Sequence, residues 1–142
     1  MVGSPVKPQY YNYLQKISHQ NIHFIEKPRD PVLSTLYHNC HLYITADRNL
    51  FFGLPIAEAA FFGKPTIAFN HAAATEIIDN GQTGFIVDNE QKLKRLLKAL
   101  ITNPKHLAKL GQNAHKKAID QFLWEKVAQQ YHDFLQKITK TL

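Results

Sequence analysis

Short apolar runs alternate along this chain with helical stretches of about ten residues, and no other feature restricts the possible folds as much. The runs "NIHFIE" (21–26), "HLYITA" (41–46), "PTIAF" (65–69) and "GFIV" (84–87) are rich in β-branched and aromatic residues and bounded by turn formers, which predicts strands. "MVG" reads as the end of one more strand. Between them, "PQYYNYLQKIS" (8–18) opens on a proline and sets Tyr10, Tyr13, Leu14 and Ile17 on one helical face. "PVLSTLYHNC" (31–40) reads as a helix with Asp30 as its N-cap. Residues 55–62 form another, stopped by Gly63, and "ATEIIDNG" (74–81) a short one closed by Asn80 and Gly81. Three amphipathic helices follow, over 89–101, 103–122 and 123–140. Strand–helix alternation of this kind predicts an α/β fold: a Rossmann-like parallel sheet with helices on both faces. Its 142 residues suit a single domain large enough to bury its own core.

Several classes are set aside by what the chain carries. Its one cysteine, Cys40, cannot build a disulfide framework or a multi-cysteine metal site, and fits a reducing cytosol. No apolar run approaches the roughly 20 residues that span a bilayer, and the N-terminus lacks the basic-then-apolar pattern of a signal peptide. These features predict a cytoplasmic protein. The eight histidines form no His-x-x-x-His pair around a carboxylate, so no metal site is expected. The formal charge of +6 comes mostly from Lys92, Lys94, Arg95, Lys98, Lys105, Lys109, Lys116 and Lys117. These alternate with leucine and alanine at helical spacing, which reads as a solvated helix face. No aromatic residue interleaves them for base stacking, so nucleic acid is not an expected partner. Attraction to an acidic membrane surface is a second reading of the same charge.

One stretch asks for a ligand. Between Phe51 and Phe62 the only ionisable residue is Glu58, amid apolar residues, Gly53 and Pro55. A buried carboxylate costs several kcal/mol unless something pairs with it. In parallel sheets ligands bind at the carboxyl ends of strands. This segment is such a junction, running from strand "HLYIT" through "ADRNLFFGLP" into a helix. Gly53 allows a close backbone approach, and the unbonded N–H groups at the helix start suit phosphate. Glu58 lies one turn inside, in reach of a sugar hydroxyl pair. Spacing alone allows an equal alternative, a plain strand–helix junction with Glu58 bonded to a backbone amide or a neighbouring cation.

The surrounding text is longer and more specific. Phe52-Gly53-Leu54-Pro55, Glu58-Ala59, Gly63-Lys64-Pro65-Thr66-Ile67-Ala68, Glu76-Ile77-Ile78 and Asn80-Gly81-Gln82-Thr83-Gly84 follow one another in order. Together they resemble the C-terminal, donor-binding domain of the family-4 (group 1) retaining glycosyltransferases, which have the GT-B fold. The likeness covers nearly the whole chain. It implies transfer of a hexose from a nucleoside-diphosphate sugar to a glycan or lipid-linked acceptor, as in polysaccharide biosynthesis, without metal or other cofactor.

The resemblance also implies roles. Glu58 would meet the donor ribose, and the amides of Phe52, Gly53 and Leu54, with Pro55 behind them, the diphosphate. Lys27 and Pro28 would frame the nucleobase, with Leu36 packing beside it, although an inward, core-facing helical position is the favoured reading of Leu36. His71 would stand at the rim of the cleft or be a plain surface histidine, and Glu76 would open the next helix as a partner of its N-terminal dipole. Two departures count against activity in this chain alone, and no catalytic residue is assigned. The family's first motif glutamate, eight residues before the second, is Leu50 here. The strand bearing the cations that neutralise the leaving diphosphate, and the N-terminal acceptor domain, would precede Met1. Partners implied are therefore the nucleotide-sugar donor and that N-terminal domain or a separate complementing chain. A non-catalytic interaction module is the alternative. On the last helix Trp124, Val127, Tyr131 and Phe134 would form an apolar surface awaiting a partner.

Overall fold

The computed structural model describes residues 1–5, 7–47 and 52–139, and divides into two compact units, Met1–His38 and Asn39–Leu142. In the first, β1 (Val2–Gly3) pairs in parallel with β2 (Ile25–Glu26) through the registers Val2–Ile25 and Gly3–Glu26. Helix α1 (Pro8–Ile17) makes the crossover that parallel strands require. Pro8 stands at its first position, where a missing N–H costs nothing. Tyr11 meets Phe24 edge-on, ring centroids 5.5 Å apart, and the Glu26 carboxylate raises its hydroxyl above the ordinary range. The strand expected over 21–26 shrinks to its last two residues, although Met1 still bonds the Ile25 amide and the His23 carbonyl ahead of the ladder.

Helix α2 (Asp30–Asn39) follows, and the expected cap is displaced by one residue. The Arg29 carbonyl accepts from the amides of Val32 and Leu33, so Asp30 is the first helical residue and not the N-cap. There its carboxylate still favours the positive end of the helix.

The second unit holds a parallel three-stranded sheet in the order β3 (Tyr43–Thr45), β4 (Thr66–Phe69), β5 (Gly84–Val87). β4 is central and buried throughout. Its alternation feeds two cores. Ala68 joins Ile56, Ala74, Ile77 and Ile78, from the segments of α3 (Leu54–Phe61) and α4 (Ala72–Ile77). Ile67 and Phe69 join Val87, Leu100 and Leu110, from β5, α5 (Glu90–Ile101) and α6 (Pro104–Gln121). Both sheet faces are thus covered, giving the Rossmann-like α/β architecture. Burying Ile67 or Leu110 completely stabilises the fold by about 2–3 kcal/mol each.

Local signals set the ends of these elements. After α3, Gly63 (φ 67°) takes the left-handed conformation, and Lys64 N–H reaches back to the Ala59 carbonyl while Gly63 N–H bonds that of Ala60. That pairing is a Schellman ending. Asn89 caps α5 by accepting from Lys92 N–H, and Asn103 caps α6 by accepting from His106 N–H. Between α4 and β5 the Asn80 side chain accepts from Ile86 N–H, Thr83 Oγ1 accepts from Asp79 N–H, and Gly81 (φ 80°) turns the chain. The Asn-Gly-x-Thr-Gly motif therefore acts as a turn.

Two expectations change. Glu76 lies next to the last residue of α4, since that helix starts at Ala72, and cannot serve its N-terminal dipole. Lys117 is no part of a solvated face: its side chain is 11% exposed and its ammonium sits 2.7 Å from Asp79 Oδ1. Helix α7 (Trp124–Thr139) buries no residue and exposes Trp124, Tyr131 and Phe134 by 84%, 67% and 60%, whereas Val127 is half-buried.

Candidate functional site

The junction between β3 and α3 is built around Gly53. Its φ of 76° and ψ of 33° are left-handed, and a Cβ there would stand 3.1 Å from Ile77 Cδ1 and 3.3 Å from Ile56 Cδ1. Conformation and space both require glycine. The Gly53 carbonyl accepts from the amides of Ile56 and Ala57, which starts α3. Among the described residues nothing accepts from the amides of Gly53 and Leu54, and Pro55 has none to offer. The helix thus opens with donors and the positive end of its dipole. Phe52 and Leu54 flank it with exposed side chains.

Glu58 is half-buried on α3 and engaged in interactions, so it is no bare charge in an apolar wall. One neighbour is Tyr43, a residue that sequence reading did not single out. Burial pushes the Tyr43 hydroxyl above its ordinary range; the hydrogen bond from Thr45 opposes this, and the charges of Glu58 and Asp47 add to it. Tyr43 and Thr45 lie two apart on β3 and so share a face. Thr45 Oγ1 also accepts from the Asp47 amide at 3.3 Å. The Tyr43 hydroxyl on β3 therefore feels the charge of Glu58, one turn into α3, and that of Asp47 just past its own strand. The strand period could have shown that Tyr43 and Thr45 are cofacial, but not that Glu58 comes to them. Leu50, Arg48 and Phe51 lie outside the described residues.

In the first unit, Lys27 follows β2 with a φ of 43°, the one non-glycine residue with positive φ among those described. A lysine held there is strained by about 1 kcal/mol or more, the sort of cost found at ligand-facing turns. Its amide donates to the Gly3 carbonyl and its side chain is exposed. Pro28 and Leu36 are half-buried, the latter on α2. A largely apolar groove of about 380 Å³ opens among β1, α1 and β2, lined by residues including Val2, Tyr11, Leu14, Phe24 and Ile25. None of the expected donor residues lines it.

His71 precedes α4 as its N-cap residue, half-buried, with no side-chain capping bond. Another histidine does structural work: His115 Nδ1 lies 2.6 Å from the Phe61 carbonyl oxygen, joining α6 to the end of α3. Among the described residues, no three histidine, cysteine, aspartate or glutamate side chains gather to hold a metal. Nor is any described helix long and apolar enough to cross a membrane. Cys40 is half-buried, and burial pushes its thiol above the ordinary range against the lowering pull of Lys64.

Comparison with known proteins agrees with this architecture. A family model described as "Glycosyl transferases group 1" matches residues 1–117. The chain is 26% identical over 132 residues to the capsular polysaccharide biosynthesis glycosyltransferase CapM of Staphylococcus aureus, covering 89% of this chain and 34% of CapM. Sucrose-phosphate synthase from Thermosynechococcus elongatus superposes with a TM-score of 0.82 at 20% identity, over 99% of this chain and 38% of that one. Anabaena HepE, solved in complex with UDP-glucose, superposes with a TM-score of 0.80 at 23% identity, over 96% and 40%. The chain spans about a third or less of the length of the curated relatives it matches.

Proposed function

Because the chain belongs to the group 1 glycosyltransferases, we propose that it is the donor-binding part of an enzyme moving a hexose from a nucleoside-diphosphate sugar to a glycan or lipid-linked acceptor. The observation that carries this reading is the opening of α3, where Gly53 takes a left-handed turn and the Gly53 and Leu54 amides have no acceptor among the described residues. A diphosphate placed there would meet N–H donors and the helix dipole together. Glu58, one turn further in, would take the ribose hydroxyls, its charge already felt by Tyr43. The UDP-glucose held by the HepE structure supports a nucleotide sugar as the ligand class.

In this reading the anomeric configuration is retained and no metal is given a role, the helix terminus supplying the positive end that a diphosphate requires. Lys27, in its strained turn, and Pro28 would frame the base, with Leu36 beside it. The acceptor and the cations that assist departure of the diphosphate would come from an N-terminal domain or a complementing chain. Without such cations a transfer would lose charge stabilisation, a loss that commonly costs two or more orders of magnitude in rate. The chain by itself should bind donor and turn over little or not at all. The reaction would take place in the cytoplasm, where nucleotide sugars are made.

Leu50 supports a second reading. Leucine can neither orient a sugar hydroxyl nor balance charge at an oxocarbenium-like centre, so the chain would be a non-catalytic module that retains the fold. Calorimetric titration with UDP, GDP and their sugars, beside Glu58→Ala, tests the donor site. Binding that the substitution removes supports it. A folded chain that binds none of these ligands would overturn it.

A further inference from the structure

Eight of the 17 lysines and arginines, but only two of the 11 acids, lie in α5 and α6, so these two helices carry +6 and the remainder of the chain balances nine against nine. The excess is also sorted by face. On α5, Leu93, Leu96, Leu97 and Leu100 turn to the core, while Lys94, Arg95 and Lys98 are exposed on the opposite side. On α6, Leu110, Ala114 and Ala118 are buried, and Lys105, Lys109 and Lys116 follow one another along the reverse face at helical spacing. Leu100 and Leu110 belong to the same cluster with Val87 and Phe69, so both basic faces point away from one common core.

Among the described residues these six cations make no ion pair; the two salt bridges take Lys92 and Lys117. At the turn joining the helices Ile101 is 72% exposed, with Lys98 and Lys105 near it in sequence. Six uncompensated cations on packed helices repel one another, a cost that an anionic counter-surface relieves.

We infer that the outer face of α5 and α6 docks on an anionic lipid bilayer. Charge complementarity selects the partner: basic clusters of this size bind acidic lipid headgroups through additive, salt-screened attraction. Ile101 supplies an apolar tip of the kind that enters the headgroup boundary. Nucleic acid fits the surface less well, since residues 90–121 contain no phenylalanine, tyrosine or tryptophan on which bases could stack. The proposal is independent of nucleotide binding at α3.

Co-sedimentation of the whole chain with phosphatidylcholine vesicles, with and without phosphatidylglycerol, tests it. Binding is expected only to the anionic vesicles and should vanish as salt is raised. The triple substitution Lys94→Glu, Lys98→Glu, Lys105→Glu should weaken it by about a hundredfold. The same charge change placed elsewhere, Lys7→Glu, Lys16→Glu, Lys126→Glu, should leave most of it. Ile101→Ser should weaken binding several-fold and tests the surface without altering charge. Equal losses from the two triple variants, no binding to anionic vesicles, or binding of an oligonucleotide in place of vesicles would each overturn the proposal.

Discussion

Gly111 of α6 lies so close to Gly63 that a Cβ on Gly111 would collide with the Gly63 carbonyl oxygen and stand 3.3 Å from Pro65 Cδ. Helix α6 and the turn ending α3 therefore touch backbone to backbone, and Ala60, Ala114 and Ala118 continue that small-residue seam.

Gly111→Ala should accordingly destabilise the chain although it improves helix propensity. Overpacking against a fixed carbonyl costs about 3 kcal/mol or more, against about 1 kcal/mol gained from propensity. Gly81 is the control: its φ is 80° but nothing lies within 4 Å of its Cβ position, so Gly81→Ala costs only about 1–2 kcal/mol of backbone strain. Urea unfolding of both variants should rank Gly111→Ala as clearly the less stable. The reverse order would mean that the two backbones separate easily.

Tyr43 gives a pH prediction. Its hydroxyl is raised by burial and by the charges of Glu58 and Asp47, with the Thr45 bond opposing. A raised folded pKa means that the native state holds this proton longer than the unfolded chain does. The resulting stabilisation is complete below the ordinary tyrosine value near 10 and is lost as pH rises from there through the raised value. Tyr11 shifts in the same direction, so the test is a comparison. Tyr43→Phe should lose less stability than the parent chain between pH 9 and 11 (about one unit either side of the unperturbed value). Glu58→Gln should bring Tyr43 ionisation to lower pH in an ultraviolet titration. An unchanged titration would separate Glu58 from Tyr43.

Lys117 reaches from α6 to the end of α4, bonding Asp79 Oδ1 at 2.7 Å and the Glu76 carbonyl at 3.2 Å. The second bond satisfies a carbonyl at the negative end of that helix. Lys117→Met retains the buried stem and removes the charge, and should cost about 1–2 kcal/mol. Asp79→Asn should cost less, because Asp79 is half-exposed and solvent screens its share. Thermal unfolding of the two variants checks the order, and equal losses would mean that the carbonyl bond contributes nothing.

The legible parts of this fold were those that local chemistry decides. β5 was readable to the residue, because Gly84 starts it and Asp88 ends its apolar run. Gly63 announced the end of α3 through its own conformation, whereas Asn89 and Asn103, read as the first residues of their helices, cap them from one position outside. What could not be read depends on distant partners. The ladder of β2 takes in only the two residues that pair with β1; Lys117 is buried because Asp79 waits at the other end. Tyr43 joins the candidate site only because α3 delivers Glu58 to it. For Phe52, Gly53, Leu54, Pro55 and Glu58 the sequence marked the junction, and the structure adds its reason in the left-handed Gly53 packed on Ile77. Gly111 drew no notice, since a glycine inside a helix makes sense only beside Gly63.

The face of α7 leads to the last prediction. Trp124, Tyr131, Phe134, Leu135 and Ile138 are exposed by between 44% and 84% and follow helical spacing along one side. Each aromatic carries about 150–250 Å² of surface, so the stripe equals or exceeds the roughly 300–600 Å² patches of ordinary monomers. Its polar side carries Glu125 and Asp133 against Lys126 and Lys137, a balance that gives lipid no electrostatic hold. A protein surface is the better cover, and in a pure sample the available surface is a second copy. Sedimentation velocity should show reversible self-association that rises with concentration. Tyr131→Ser with Phe134→Ser should shift the population to monomer while circular dichroism shows the helix intact. If the parent chain stays monomeric at every concentration, the stripe is not self-complementary, and its cover must be sought on a different polypeptide.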